Sequence, residues 1–294
     1  MHLKHDIAGF DRRFFSFFID AILLCLLSTL IFLFIDDYYY HKPILFTLLG
    51  FGFVSLYFGF LDSTMTKGRS IGKSLLGIRV VKTNNAYLPV IQSLIRALIF
   101  LFPICLSSLF YWVGSFPMKV ALISVLTVIG ASLFYLFIFN RNTKQSLHDL
   151  LVNSIVIDSR KAPAERETIW KYHFLFLIVF IAVILFLRLN PLFQQNNDPM
   201  LHALVDNIQS DEQIVHVRAK NEIDNTEKNI AMNIYVNDPS LVNNVNFQQK
   251  LENSVQQQNL PNVSKINAHI YSVGQFGLYV VLHQKDLVLS HLKK

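Results

Sequence analysis

One carboxylate in this sequence stands where it is expensive. Asp20 lies inside the apolar stretch Phe14–Ile35, and an ionised acid at such depth costs several kcal/mol unless it is paired or wet. It follows Arg13 by seven residues, about 10 Å along a helix and close to two full turns, so the two share one stripe. Two chemistries fit: a site that takes up a cation or proton, or a structural ion pair with Arg13 or Arg96. Arg96 lies within a second apolar stretch, Pro89–Val113. It reads either as the counter-charge of Asp20 or as a long side chain reaching lipid phosphates.

Two further segments invite a chemical reading. Gly68-Arg69-Ser70-Ile71-Gly72-Lys73-Ser74 resembles a phosphate loop but is one residue short, and it follows an apolar span rather than a strand, so the nucleotide reading is rejected. A basic interfacial helix over Ile71–Leu76 is expected instead, ended by Gly77, with a hairpin built from Ile78–Lys82 and Tyr87–Val90. In Gln145-Ser146-Leu147-His148-Asp149, Ser146 is a helix cap. Adjacent helical residues diverge by about 100°, so His148 and Asp149 are not expected to serve one metal. Arg69, Lys73, Arg79 and His148 are expected at lipid phosphates. No nucleophile, metal or paired-carboxylate signature is found, so neither enzyme activity nor a cofactor is expected.

The elements that position these residues follow from composition. The 294 residues are 52% hydrophobic and 16% charged, with 26 Phe, and mean hydropathy is +0.39. A soluble domain carries about 25% charged residues, so an α-helical polytopic membrane protein is expected. Spans are read at 14–35, 44–61, 89–113, 118–139 and 174–189, against about 20 residues needed per crossing. The first lacks a cleavage site and stays as a span. Net charge +6 divides unevenly: residues 1–189 carry +8 and residues 190–294 carry −2. That split disfavours nucleic-acid binding. Basic residues crowd the N-terminus (Lys4, Arg12, Arg13) and the 62–88 and 140–172 loops, Arg166 among the latter. These are expected on the cytoplasmic side of a bacterial inner membrane, with the C-terminus outside. Cys25 and Cys105 sit in apolar runs and imply no disulfide framework.

Four units are therefore expected: a transmembrane domain at 1–158, a cytoplasmic linker at 159–173, a fifth transmembrane helix at 174–189 and a small α+β domain at 190–294. The last holds 27 Asn and Gln in 105 residues. Alternation around Ile214–Ala219 and Ile230–Val236, and the runs Ile266–Val273 and Leu278–His283, read as strands. Met200–Ile208 and Leu241–Val255 read as helices.

Three motifs in order resemble the RDD family of bacterial membrane proteins. They are Ala8-Gly9-Phe10-Asp11-Arg12-Arg13-Phe14 with Ile19-Asp20, then Gly68 to Val81, then Gln145 to Asp149. The resemblance covers roughly residues 5–157. It implies a four-helix core in which the arginine and two aspartates of the family's name fall on Arg13, Asp20 and Asp149. The fifth helix and the C-terminal domain are additions the family does not require. Some members resemble cation/proton antiporters.

Two functions are expected from this. One is transport of a cation, proton or small solute with Asp20 as titrating group, Arg13 or Arg96 setting its pKa and Asp149 at the cytoplasmic mouth. The other is a non-enzymatic membrane anchor or sensor whose periplasmic domain binds an envelope protein or peptide. The expected partners otherwise are anionic lipid headgroups and a second copy of the chain.

Overall fold

The computed structural model describes residues 7–113, 115–161, 168–224, 227–258, 260 and 263–290. Lys4, Arg166 and the rest of 162–167 in the expected linker lie outside the described residues. In chain order the helices are α1 (Phe10–Tyr39), α2 (Pro43–Leu61), α3 (Ile71–Leu75), α4 (Val90–Cys105), α5 (Leu109–Trp112), α6 (Phe116–Phe139), α7 (Leu147–Leu151), α8 (His173–Asn197), α9 (Pro199–Gln209) and α10 (Val245–Gln256). The strands are β1 (Ile78–Lys82), β2 (Ser154–Asp158), β3 (Ile214–Asp224), β4 (Glu227–Val236), β5 (Val263–Phe276) and β6 (Tyr279–Ser290).

Helices α1, α2, α6 and α8 are long and apolar enough to cross a membrane, and α4 is a shorter apolar helix of 16 residues. With a membrane α-helical bundle and a C-terminal β-sheet domain, the expected fold class holds. The stretch 89–113 is not one helix, however. Pro103 sits inside α4, and a proline removes a donor and crowds the preceding turn. The helix ends at Cys105, and the chain re-enters helix only for the four residues of α5. Helix α8 continues to Asn197, past the boundary expected at 189.

At one end of the bundle, where α1 begins, β1 and β2 pair antiparallel with Arg79 opposite Ile157. The expected partner of β1, Tyr87–Val90, forms no strand. Lys82 N donates to Ala86 O across a turn in which Asn85 has φ +67°, so the chain reverses tightly and leaves β2 to complete the ribbon.

The C-terminal domain lies at the opposite end. Its sheet has the order β3-β4-β5-β6, with β4 and β5 parallel and the other pairs antiparallel. Helix α10 lies in the β4-to-β5 crossover, as parallel neighbours require. The expected helix 241–255 splits: a 3₁₀ turn spans Pro239–Asn243, and Asn244 starts α10 by accepting from Phe247 N at 3.1 Å. Leu204, Ile208, Phe247 and Leu251 from the helices pack on Ile230, Met232, Ile234 and Ile270 of the sheet.

The β5–β6 hairpin leaves this sheet and enters the helical bundle. Its turn residue Gly277 (φ +59°) packs against Gly50, Ser28 and Val54, so closely that a Cβ on Gly50 would collide with the Gly277 backbone. Gly50 is seven residues into α2, so the hairpin tip sits about 10 Å below that end of the helix. The Phe32 ring packs against Tyr279 in a tilted contact, with centroids 5.3 Å apart. Gln275 is the anchor. Its Nε2 donates to Ile104 O at 2.9 Å and its Oε1 accepts from Ser108 N at 3.2 Å. These are the carbonyl and amide that an unbroken α4 would have bonded to each other, four residues apart. The side-chain amide thus satisfies the backbone that Pro103 helps to open, the condition for irregular backbone at membrane depth. Tyr39 Oη accepts from Gln275 N at 3.1 Å, and Thr47 Oγ1 donates to Gln275 O at 3.3 Å.

Candidate functional site: a buried charge chain at one end of the bundle

Asp20 is fully buried on α1 and pairs with no basic side chain among the described residues. It accepts three hydrogen bonds instead: from Tyr57 Oη at 2.7 Å, Ser70 Oγ at 2.5 Å and Gly72 N at 2.8 Å. The pairing expected with Arg96 or Arg13 is therefore corrected. The reason is steric as well as electrostatic. Gly72 sits against the Ser16 carbonyl with no room for a Cβ, so the first turn of α3 lies directly on α1 and presents its unbonded N–H to the carboxylate. Asp20 clamps the Ser70–Gly72 loop to the bundle.

Arg96, on α4, faces other acids. Its Nη1 donates to Asp62 Oδ2 and its Nε to Asp149 Oδ1, both at 2.9 Å. Arg13 Nη2 donates to the second oxygen of Asp149 at 3.0 Å, and Arg13 Nη1 to the Lys144 carbonyl. Lys73 Nζ reaches both oxygens of Asp62 at 2.8 and 2.9 Å. The result is a continuous alternating chain, Arg13–Asp149–Arg96–Asp62–Lys73, with every member less than a tenth exposed. Burying each ion alone would cost several kcal/mol, and mutual pairing with extra hydrogen bonds is what makes the arrangement tolerable. Ser154 Oγ supplies one such bond to Asp149 at 3.0 Å, and the Ser146 capping box orients the same carboxylate.

His148 and Asp149, adjacent on α7, converge on one cation rather than on a metal. Both meet Arg96, because its guanidinium fork is wide enough to take Asp149 on Nε and His148 Nε2 on Nη2 at 3.1 Å. Accepting there places the His148 proton on Nδ1, which has no partner among the described residues. Burial pushes the His148 pKa down to about 3, with Arg96, Arg13 and Lys73 adding to the shift against Asp149. Burial alone would raise the Asp149 pKa, but His148, Arg96 and Arg13 outweigh it and hold the carboxyl below its usual range.

Lys73 does not lie at lipid phosphates, and neither does His148; both are buried in the bundle. Arg79 lies apart from the chain, its Nη1 donating to Tyr87 Oη at 3.1 Å and its Nη2 to Ser159 O at 3.4 Å. Arg69 is half-buried outside the chain, and its Nε has no protein partner among the described residues. Asp62, Tyr57 and Ser70 escaped the sequence reading. Asp62 was the one with a signal, a single acid closing an apolar span eleven residues before a lysine. Among the described residues no group of three metal-ligating side chains occurs.

Beside the chain lies a partly open cavity of about 430 Å³ lined mainly by α1, α2, α4 and α6. Arg13, Asp62, Lys73, Arg96 and His148 line one end of it, and Pro103 and Ile104 the other. Eight residues of α4 separate Arg96 from Ile104, about 12 Å. The chamber therefore runs from the charge chain to the carbonyl that Gln275 holds.

A family model described as the RDD family matches residues 7–153. The chain belongs to the RDD family. No curated protein and no solved structure matches it. The matched region contains the whole charge chain and every lining residue of the cavity but Val156, whereas α8 and the C-terminal domain follow it. The arginine and two aspartates of the RDD name do not form one cluster here. Arg13 and Asp149 are paired, and Asp20 is held by Tyr57, Ser70 and Gly72.

Proposed function

We propose that this RDD membrane protein is a non-enzymatic transporter of a small solute, and that the chamber between the charge chain and the hairpin tip is its binding site. One observation carries this reading. The chamber has a charged floor at one end of the bundle, and its other end is lined by Pro103 and Ile104, the latter's carbonyl held by Gln275 of the hairpin. Asp20, satisfied by three donors and absent from the chamber wall, acts as a clamp rather than as the titrating group. The solute meets Asp62, Arg96 and His148.

The orientation that goes with this places the charged end, with Arg12, Arg13, Lys67, Lys73 and Arg79, in the cytoplasm of a bacterial cell and the hairpin end outside. The test is flux through proteoliposomes of the full chain. Internal pyranine reports protons coupled to a Na⁺ or K⁺ gradient, and lumenal phosphate analysis reports entry of octyl phosphate. Flux of at least one probe, lost in Gly130→Leu and retained in Asp20→Asn, is expected. Rates equal to protein-free vesicles for all three would end the transport reading.

The hairpin also favours a second reading, in which the C-terminal domain senses an envelope protein or peptide and the buried charges are structural. Ligand binding to the sheet would then change the packing of α1 and α2 through Gly277. Val288→Glu in the full chain, an exposed position on the sheet away from the hairpin tip, separates the readings: a transporter keeps its flux, and a sensor that binds its partner on the sheet loses its response.

A further inference from the structure

We infer that the chamber takes an anionic amphiphile, a molecule with an oxyacid headgroup on an apolar chain, entering sideways from the lipid. The inference rests on the chamber being the binding site but not on transport itself. The charged side chains lining its floor are mostly positive, Arg13, Lys73 and Arg96 against Asp62, while Asp149 and Asp20 stand behind the wall and His148 is neutral. A small cation is poorly served there, because Asp62 and Asp149 are already neutralised by bonded cations. An oxyanion meets the surplus charge.

The walls above are of the opposite character. Phe14, Phe17, Phe100, Phe134 and Phe137 line them, and Gly130 keeps the space beside Pro103 open. A free inorganic ion gains nothing from five phenyl rings, whereas a hydrocarbon chain gains roughly 0.8 kcal/mol for each buried CH₂. The entrance follows from exposure. Phe14 and Phe134 line the chamber yet are 46% and 58% exposed on the bundle flank. They stand at a slot between α1 and α6, which meet at the Phe10–Phe137 ring pair, 4.8 Å apart, nearer the charged end. The headgroup reaches the floor beside that pair, and the chain lies along the slot toward Pro103.

The experiment uses the full chain in phosphatidylcholine nanodiscs, with a fatty acid carrying a terminal diazirine as probe. Photolysis followed by peptide mapping is expected to label the segments containing Phe100–Ile104 and Gly130–Phe134, which line the end of the chamber the chain tip reaches. Excess unlabelled fatty acid should compete, and its methyl ester and inorganic phosphate should not. Gly130→Leu, which fills the chamber without touching a charge, should lower labelling at least fivefold at unchanged melting temperature. Equal competition by the ester overturns the anionic headgroup, and equal competition by phosphate overturns the apolar chain. Labelling as strong on the lipid-facing residues of α8, or unchanged in Gly130→Leu, overturns the site. Specific labelling with no flux removes the transport reading and leaves the ligand class. Flux with no labelling does the reverse.

Discussion

Gln275 and Ile104 are 171 residues apart, and the side-chain amide of the first donates to the backbone carbonyl of the second at 2.9 Å. Through the paired bond from Ser108 N, a residue of the C-terminal domain completes the end of a bundle helix. The two halves of the chain are therefore one hydrogen-bonded unit at this point.

Replacing Gln275 with Leu keeps the volume and removes the side chain's three bonds, to Ile104 O, Ser108 N and Gly277 O. Ile104 O keeps a bond from Ser107 Oγ at 3.4 Å, but Ser108 N and Gly277 O lose their side-chain partner, each worth about 1–3 kcal/mol. A lower melting temperature in detergent is expected, with faster amide exchange confined to residues 104–108 and the hairpin. Unchanged exchange there would show that the amide is incidental.

Gly50 and Gly277 touch backbone to backbone. Gly50→Val, in a Cys25→Ser, Cys105→Ala background carrying Phe276→Cys, should drive the hairpin out of the bundle. Maleimide labelling of the single introduced thiol should rise several-fold relative to the same protein with Gly50 intact. Equal labelling rates would contradict the docking.

Asp62 and Asp20 are both buried acids, but their removal should differ. Asp62→Ala leaves Arg96 and Lys73 facing an uncompensated position, and breaking a buried pair costs about 3–5 kcal/mol. Asp20→Asn keeps the side chain's shape and an oxygen for the Gly72 amide, so only a modest loss is expected. Arg96→Lys should resemble Asp62→Ala, since one ammonium cannot bridge Asp62, Asp149 and His148. Thermal melts of the three variants beside the parent protein decide the ranking.

His216 of β3 accepts from Lys119 Nζ at 2.7 Å, and its pKa is pushed down to about 3 by burial, then by Lys119 and Arg218. The folded state therefore keeps it neutral, while the unfolded chain binds a proton below about pH 6.5. Its contribution is complete above pH 6.5 and is lost as pH falls from there toward 3. Between pH 7.5 and 5 the loss is about 2 kcal/mol. His216→Asn should flatten that part of the stability-versus-pH curve, with His148 supplying a similar slope that persists in the variant.

Local chemistry was legible in the residues themselves. The apolar runs, the cap at Ser146, the turn at Gly77 and the strands of the C-terminal domain depend on neighbours within a few positions, and each formed near where its pattern lay. Membership of the RDD family was also readable, because its motifs are short and ordered. Which charge meets which was not. Asp20 and Arg96 are each unmistakable in an apolar stretch, but their partners come from α2, α3 and α7, and depth along separate helices cannot select among several acids. The break after Cys105 had a sequence cause in Pro103, yet whether the opened backbone could stay buried depended on Gln275 arriving from the far end of the chain. Sequence alone therefore determined the helices, the strands and the presence of costly buried charge. Tertiary packing decided the pairing of that charge, the chamber beside it and the entry of the hairpin, because those depend on long-range contacts that no local pattern encodes.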